Sequence, residues 1–168
     1  FEQAIALDPE YAQPHAELGL AYLNMVMLGN RPLREVADLI RDEARKALEL
    51  DPSDPGPRYL LGAVAASYDY DWKEAGEHFR AALAAPSVGH DVHWAYASFF
   101  LQPWGRYEEG VAEMQLEVDR DPLNIQWRAV LSAHLINAER YDQAIENAAL
   151  HQRVHAGQWF VKNQELRI

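Results

Sequence analysis

The sequence predicts an all-α protein, built as a right-handed solenoid of stacked antiparallel helix pairs. The first observation behind this prediction is a set of prolines that close helical runs, because proline cannot continue a helix. These closures fall at Asp8-Pro9, Asp51-Pro52 and Asp121-Pro122, and Ala85-Pro86 occupies the corresponding place between the last two. Closures spaced in this way indicate a helical repeat.

Two further markers recur in phase with the prolines. In the second helix of three of the pairs, an aromatic residue comes three positions before a small one: Trp72 and Ala75, Tyr107 and Gly110, and Tyr141 and Ala144, with the small residues 35 and 34 positions apart. About one turn into each first helix stand Leu18-Gly19, Leu61-Gly62, Ala97-Ser98 and Leu131-Ser132. Small residues let the two helices approach closely. Because neither helix can bury its apolar stripe alone, neighbouring pairs are expected to stack.

The first helix pair is longer than the others. Pro9 and Pro52 are 43 residues apart, about nine more than a standard 34-residue unit. We expect its first helix to end near Leu28, a turn at Gly29-Asn30-Arg31-Pro32, and a second helix from Leu33 to Leu50 whose apolar residues keep helical spacing. Later in the chain, Tyr68 to Trp72 interrupts the pattern, and Trp104-Gly105-Arg106 is a tight corner between two amphipathic helices.

With these markers the chain resembles a tetratricopeptide repeat (TPR) array, whose unit has the pattern W-x2-L-G-x2-Y, then A-x3-F, then P. The matching residues include His15, Leu18, Gly19 and Tyr22; Arg58, Leu61, Gly62, Ala75 and Phe79; Trp94, Gly110 and Met114; and Leu131, Ser132, Leu135 and Ala144. The resemblance implies a single TPR array over residues 1–168. Its repeats are 10–53 with a long insertion, 54–88, 89–123 and 124–157. Residues 1–9 end a preceding repeat, and residues 158–168 begin a further repeat or a capping helix.

The irregular segments are similar to those of one bacterial lineage of TPR arrays. The segments concerned are ARKALELDP, YDYDW, an H-x-x-x-A stretch and a DPLN corner. In that lineage the array commonly follows a winged-helix, kinase or adenylate cyclase domain. The resemblance therefore implies that the chain belongs to a larger bacterial signalling or transcription-regulatory protein, located in the cytoplasm. The chain begins at Phe1 within a helical pattern, and we expect it to be a piece of that longer protein.

Composition excludes several classes of function. The net charge of -11 argues against direct binding to nucleic acid, which needs Lys and Arg against the phosphates, and against anionic membrane surfaces. No stretch of about 20 apolar residues could span a bilayer. The absence of Cys excludes disulfides and thiol nucleophiles. No glycine-rich phosphate loop and no G-x-S-x-G motif occurs, so we expect no enzyme activity and no cofactor.

The resemblance implies a concave groove lined by the first helix of each repeat. Its lining residues would be Gln13, Glu17, Leu20 and Asn24; Tyr59 and Leu60; Tyr96 and Phe99; and Gln126 and Val130. None of them is Lys or Arg, which rules out a clamp for a C-terminal carboxylate. The apolar and aromatic positions suit an apolar peptide, an amphipathic helix or a segment of the same protein. Alternatively, the aromatic side chains simply pack against adjacent helices.

Two histidine pairs have the spacing of zinc ligands on one helical face, His90 with His93 and His151 with His155. Neither pair includes the glutamate of an H-E-x-x-H motif, and helix-start and packing roles are favoured for them, so we expect no metal site.

The leading functional hypothesis is a non-catalytic protein–protein interaction scaffold, whose protein or peptide partner the sequence does not identify. The alternative is a structural module that mediates homo-oligomerisation, with its groove filled by its own chain. A homodimer through exposed terminal half-repeats is also expected, because Phe1 and Ala4 at one end and Trp159, Phe160 and Val161 at the other would expose apolar surface.

Overall fold

A computed structural model describes residues 1–86 and 88–150 of the chain. All regular elements in these ranges are helical. The chain divides into two compact units, the first formed by Phe1–Phe100 and the second beginning at Leu101.

Among the described residues, the first unit contains six α-helices and two π-helices, the second of which ends at Leu101 in the second unit. In chain order they are α1 Glu2–Leu7, α2 Ala12–Met27, α3 Leu33–Leu50, α4 Pro55–Val64 with the π-helix Ala65–Asp69, α5 Trp72–Leu83, and α6 His90–Ala95, followed by the π-helix Tyr96–Leu101. Helix α2 packs on α3, α4 packs on α5, and α3 also contacts α4. The predicted long first hairpin is confirmed: α2 ends one residue before Leu28, and α3 has the predicted bounds.

The second unit begins with the end of the second π-helix. It continues with the 3-10 helix Gln102–Trp104, α7 Tyr107–Arg120, α8 Ile125–Asn137 and the helical residues 141–150. Helix α7 packs on α8. The predicted corner at Trp104-Gly105-Arg106 is confirmed, because it separates the 3-10 helix from α7.

Each hairpin corner contains one residue with a left-handed backbone. These residues are Gly29 at φ 70°, Tyr70 at φ 57°, Gly105 at φ 69° and Glu139 at φ 59°. At three corners the next amide donates a hydrogen bond to the carbonyl five residues earlier: Asn30 to Met25 at 2.8 Å, Arg106 to Leu101 at 3.0 Å and Arg140 to Leu135 at 2.9 Å. This is the Schellman pattern, which satisfies carbonyls that would be orphaned at a helix end.

The aspartate–proline closures also share one geometry. After each aspartate the chain makes a turn in which an amide donates to the aspartate carbonyl: Tyr11 to Asp8, Asp54 to Asp51 and Asn124 to Asp121. The side chain six positions after each proline then lies within hydrogen-bond distance of the proline carbonyl. The distances are 3.2 Å from His15 Nε2 to Pro9, 3.4 Å from Arg58 Nη2 to Pro52 and 2.8 Å from Arg128 Nε to Pro122. This contact ties the start of a first helix to the preceding turn.

Two of these side chains also bind the second helix of their own hairpin. His15 Nδ1 lies 2.6 Å from Glu43 Oε2 on α3. Arg128 Nη1 donates to Asn147 Oδ1 at 3.2 Å, and Asn147 stands in the helical residues 141–150. Glu43 and Asn147 occupy matching places in their repeats. We call each of these contacts, His15 with Glu43 and Arg128 with Asn147, a polar clasp, because it connects the first helix of a hairpin to the second.

The core of the first unit is centred on Phe79, which is fully buried. Its ring centroid lies 5.6 Å from that of Tyr96 and 5.9 Å from that of Phe100. A Cβ placed at Gly62 would lie 3.0 Å from the Phe79 ring. The small residue at this position is therefore what allows α4 to approach α5, as the sequence predicts.

Candidate functional site

Eight of the ten residues that the sequence places in a groove belong to the first helices of the first unit. Six of them lie on α2 and α4, and the other two, Tyr96 and Phe99, lie on the π-helix that directly continues α6. Helix α4 contacts both α2 and α6. A helix that is covered by a neighbour on each of two sides has little surface left for a ligand. This arrangement decides which of the predicted lining residues are accessible.

Tyr59 and Leu60 are not open groove residues, which corrects the prediction for these two positions. Tyr59 is 3% exposed and Leu60 is 1% exposed, and both belong to the hydrophobic core of the first unit. Their burial follows from the position of α4, whose inner face packs against neighbouring helices. Side chains at the spacing of a groove therefore form the core here.

Tyr96 and Phe99 have different surroundings although both are half-buried. The Tyr96 ring is stacked on Phe100, with centroids 5.5 Å apart, and also packs on Phe79. The Phe99 ring instead meets Trp94 edge to face, at 5.5 Å and 75°. Tyr96 thus packs within the inner aromatic cluster, whereas Phe99 and Trp94 pair with each other. Both of them also pack against the core of the first unit and are half-buried, so part of their surface stays open. The sequence did not single out Trp94 as a site residue.

The other predicted lining residues are distributed over both units. On α2, Gln13 and Asn24 are exposed and Glu17 and Leu20 are half-buried, with Leu20 packed against the core. In the second unit, on α8, Gln126 is exposed and Val130 is half-buried. Their assignment to a groove remains a prediction.

Three carboxylates act on the Tyr59 hydroxyl. Burial is the main cause that raises the pKa of Tyr59 above its usual value, and the negative charges of Asp91, Glu17 and Asp54 raise it further. Asp54 caps α4 by accepting a hydrogen bond from the Gly56 amide at 2.8 Å. Because the hydroxyl keeps its proton, it can donate and accept hydrogen bonds but does not act as a base.

Several solved structures are similar to this chain. PilF of Pseudomonas aeruginosa has a TM-score of 0.66 at 28% identity, over 85% of this chain and 60% of that one. MamA has a TM-score of 0.63 at 14% identity, over 94% and 85%. YrrB, described as a TPR protein with an unusual peptide-binding site, has a TM-score of 0.58 at 22% identity, over 93% and 75%. No family model and no curated protein matches the sequence.

These structures are TPR proteins, and their helices superpose on nearly the whole chain. The chain has the TPR fold. The predicted all-α TPR solenoid is thereby confirmed as the fold class, while the bounds of the individual repeats remain a prediction. The chain spans 60% of the length of the PilF structure.

The metal hypothesis finds no support in the described part of the TPR helices. Among the residues that the structure describes, no group of three or more His, Asp or Glu side chains could hold a metal ion. His151 and His155 lie outside the described residues, as do Trp159, Phe160 and Val161. Across the described ranges, no helix is both long and apolar enough to cross a membrane.

The raised pKa of Tyr59 predicts a loss of stability at alkaline pH. The unfolded chain releases the tyrosine proton near pH 10, but the native chain keeps it. The contribution of Tyr59 is therefore fully present below about pH 10 and is lost as the pH rises beyond it. We expect the urea midpoint to fall as the pH rises above about 10, and to fall less in Tyr59→Phe.

Tyr70→Phe is the matched control for this measurement, because Tyr70 is 71% exposed. It should follow the wild-type pH profile. A Tyr59→Phe profile that coincides with that of the wild type would contradict the assignment.

Proposed function

We propose that the chain is a non-catalytic protein–protein interaction module, which binds an apolar peptide or helix of its partner across the first helices of the first unit. The partly open pair of Trp94 and Phe99 carries this proposal. Aromatic side chains offer a large apolar surface with few rotatable bonds, which suits the capture of an apolar side chain. YrrB, a TPR protein of similar fold, has a peptide-binding site.

The wider setting that we propose is a larger bacterial signalling or transcription-regulatory protein in the cytoplasm. Support comes from the sequence resemblance to arrays that follow winged-helix, kinase or cyclase domains. A bacterial origin is consistent with PilF of Pseudomonas aeruginosa as a structure of similar fold. The sequence of the complete gene tests this part of the proposal, since an effector domain of another class would reject it.

The peptide site is tested with Phe99→Ala, which removes one member of the aromatic pair. We expect the affinity for a peptide selected on the wild-type protein to fall about tenfold or more, as at interface hot spots. Binding is measured by fluorescence anisotropy at a temperature where circular dichroism shows each variant to be folded.

Tyr96→Ala is the matched control, because it removes a neighbouring aromatic ring that stacks on Phe100 in the core. It should lower the melting temperature more than Phe99→Ala and affect peptide affinity less. If the two variants lose affinity in proportion to their loss of stability, both rings are core residues and the proposed site is wrong.

Homo-oligomerisation is the second candidate function. It is favoured by α1, which has no buried residue and on which Leu7 is 89% exposed. Light scattering separates the two functions. A mass that rises with concentration and returns to the monomer value in Leu7→Ser favours self-association.

A further inference from the structure

We propose that a cavity around Arg58 in the first unit binds the last residue of a peptide chain, whose carboxylate pairs with the Arg58 guanidinium. The cavity lies where the turn before α4 meets the end of α5. It is separate from the predicted groove, whose lining residues include no Lys or Arg and do not contribute to this cavity. The inference goes beyond the proposed function, because it concerns a second site that does not involve Trp94 and Phe99.

The cavity combines one cationic side chain with mostly apolar walls. Its volume is about 300 Å³, at the lower end of the range for small-ligand pockets, about 300–1,000 Å³. One wall belongs to the turn and the start of α4, and the other to the end of α5. The principal lining residues are Pro52, Pro55 and Arg58 on the first wall and Ala81, Ala84 and Ala85 on the second.

The cavity exists because two side chains that fill the same place in the first hairpin are replaced by small ones. In the hairpin of α2 and α3, Lys46 Nζ lies 3.7 Å from Glu10 Oε1 and bridges the turn and the second helix. Lys46 comes directly before the buried Ala47, as Ala81 comes before the buried Ala82, and Glu10 follows a closing proline, as Ser53 does. Alanine and serine at the matching places cannot form this bridge, which leaves the space open.

Arg58 makes fewer contacts than the side chains at the matching places of other hairpins. His15 and Arg128 each bind a proline carbonyl and also form a polar clasp with the second helix. Arg58 Nη2 donates to the Pro52 carbonyl at 3.4 Å, and among the described residues no carboxylate pairs with its guanidinium. At the clasp position of α5 stands His78, three residues after Ala75 as Asn147 is after Ala144, and its Nε2 lies 3.5 Å from Glu74 on the same helix.

A guanidinium has five N–H donors in a planar fork that matches a carboxylate. One long hydrogen bond to a neutral carbonyl leaves most of these donors available to a ligand. Such a pairing can form two parallel charge-assisted hydrogen bonds, which are stronger than bonds between neutral groups. Arg58 is half-buried, so its guanidinium is partly desolvated yet reachable from the cavity.

The two aspartates beside this turn are engaged locally and do not pair with Arg58. Asp51 Oδ1 accepts hydrogen bonds from the Ser53 amide at 3.0 Å and from Ser53 Oγ at 2.6 Å, and Asp54 Oδ1 accepts one from the Gly56 amide at 2.8 Å. Because the net charge of the chain is -11, long-range attraction does not favour an acidic ligand. The affinity must therefore come from direct contacts within the cavity.

The size of the cavity limits how far apart the carboxylate and the apolar group of a ligand can lie. Both must fit within about 300 Å³, with the carboxylate at Arg58 and the apolar group on the alanine wall. At the end of a peptide chain the carboxylate and the side chain leave the same Cα atom. An internal Asp or Glu uses its side chain as the carboxylate and brings no apolar group to the same place. The cavity therefore fits a C-terminal residue with an apolar side chain.

The test uses N-acetyl-leucine as a model of such a residue. It is titrated into the intact ¹⁵N-labelled chain, and the amide signals of Ser53, Arg58, Ala84 and Ala85 are followed by NMR. We expect these signals to shift on binding with a Kd in the millimolar range, about 1 mM, as for a small fragment. N-acetyl-leucinamide lacks the charge, acetate lacks the side chain, and N-acetyl-glutamic acid α-amide carries its carboxylate on the side chain. Each should bind at least about tenfold more weakly.

Two variants locate the site. Arg58→Gln removes the guanidinium, and Ala81→Leu fills the cavity from the opposite wall without changing the charge. Both should weaken N-acetyl-leucine at least about tenfold. Arg45→Gln, at an exposed position on α3, is the matched control, because it changes the net charge as Arg58→Gln does and should leave the affinity unchanged. Circular dichroism checks that each variant is folded, and Ala81→Leu keeps the test valid if Arg58→Gln is not.

Several results would overturn the site. These are an absence of shifts at the four amides, equal binding of N-acetyl-leucinamide or acetate, and full binding to Arg58→Gln or Ala81→Leu. An equal loss in Arg45→Gln would reduce the effect to net charge and overturn it as well. Equal binding of the glutamic acid α-amide would overturn the assignment to a chain end. None of these results bears on the peptide site at Trp94 and Phe99, which is tested separately.

Discussion

Replacing Phe79 with alanine is expected to lower the free energy of unfolding by about 3–5 kcal/mol, the range for removal of a fully buried aromatic ring. Phe79 is 0% exposed and packs on Tyr96 and Phe100, so the ring would leave a cavity at the centre of the first unit. Urea denaturation followed by circular dichroism measures the change. Met27→Ala, at a side chain that is 50% exposed, is the control and should cost far less.

The same site allows a second measurement. At Gly62 an added Cβ would lie 3.0 Å from the Phe79 ring, so Gly62→Ala alone is opposed by this contact. In the Phe79→Ala background the contact is absent, and alanine should then stabilise α4 by its higher helix propensity, about 1 kcal/mol. Additive effects of the two substitutions would show that the ring does not limit the residue at position 62.

Replacing Asn147 with alanine is expected to destabilise the last described hairpin by about 1–3 kcal/mol, the cost of leaving buried polar partners unsatisfied. Asn147 is 8% exposed. Its Nδ2 donates to Arg128 O at 2.7 Å and to Ser132 Oγ at 2.9 Å, and its Oδ1 accepts from Arg128 Nη1. Hydrogen exchange of the α8 amides measures the effect locally, and these amides should lose protection in the variant.

Asn137→Ala, at an exposed position near the end of α8, is the control for this variant. If it lowers α8 protection as much as Asn147→Ala does, the polar clasp contributes nothing beyond helix propensity.

The helix ends could be predicted from the sequence because their signals are local. Pro9, Pro52 and Pro122 cannot continue a helix, and Gly29 and Gly105 take the left-handed conformation without steric cost. The left-handed residues Tyr70 and Glu139 could not be predicted in this way, because a residue with a Cβ pays a penalty there of about 1–2 kcal/mol. At Glu139 the compensation is the hydrogen bond from Arg140 to Leu135, which sequence does not reveal.

The site was harder to predict than the fold, for a physical reason. The spacing of Tyr59 and Leu60 is the same for a side chain that lines a groove and for one that packs between helices. Only the contacts of α4 with α2 and α6 distinguish the two. Asp54 and Asp91 have a similar ambiguity, because each has a local explanation at a helix start. Their shared effect on Tyr59 depends on the tertiary arrangement.

The π-helix Tyr96–Leu101 has a consequence for the phase of the repeats. In an α-helix each residue turns the chain by about 100°, so one additional residue would swing everything after it away from its neighbours. A π-turn widens the helix locally and takes up that residue within one turn. Ala75 and Gly110 are 35 positions apart instead of 34, yet both remain buried. The widened turn at Tyr96–Leu101 is therefore a place within a helix, and not only at a corner, where one additional residue can be accommodated.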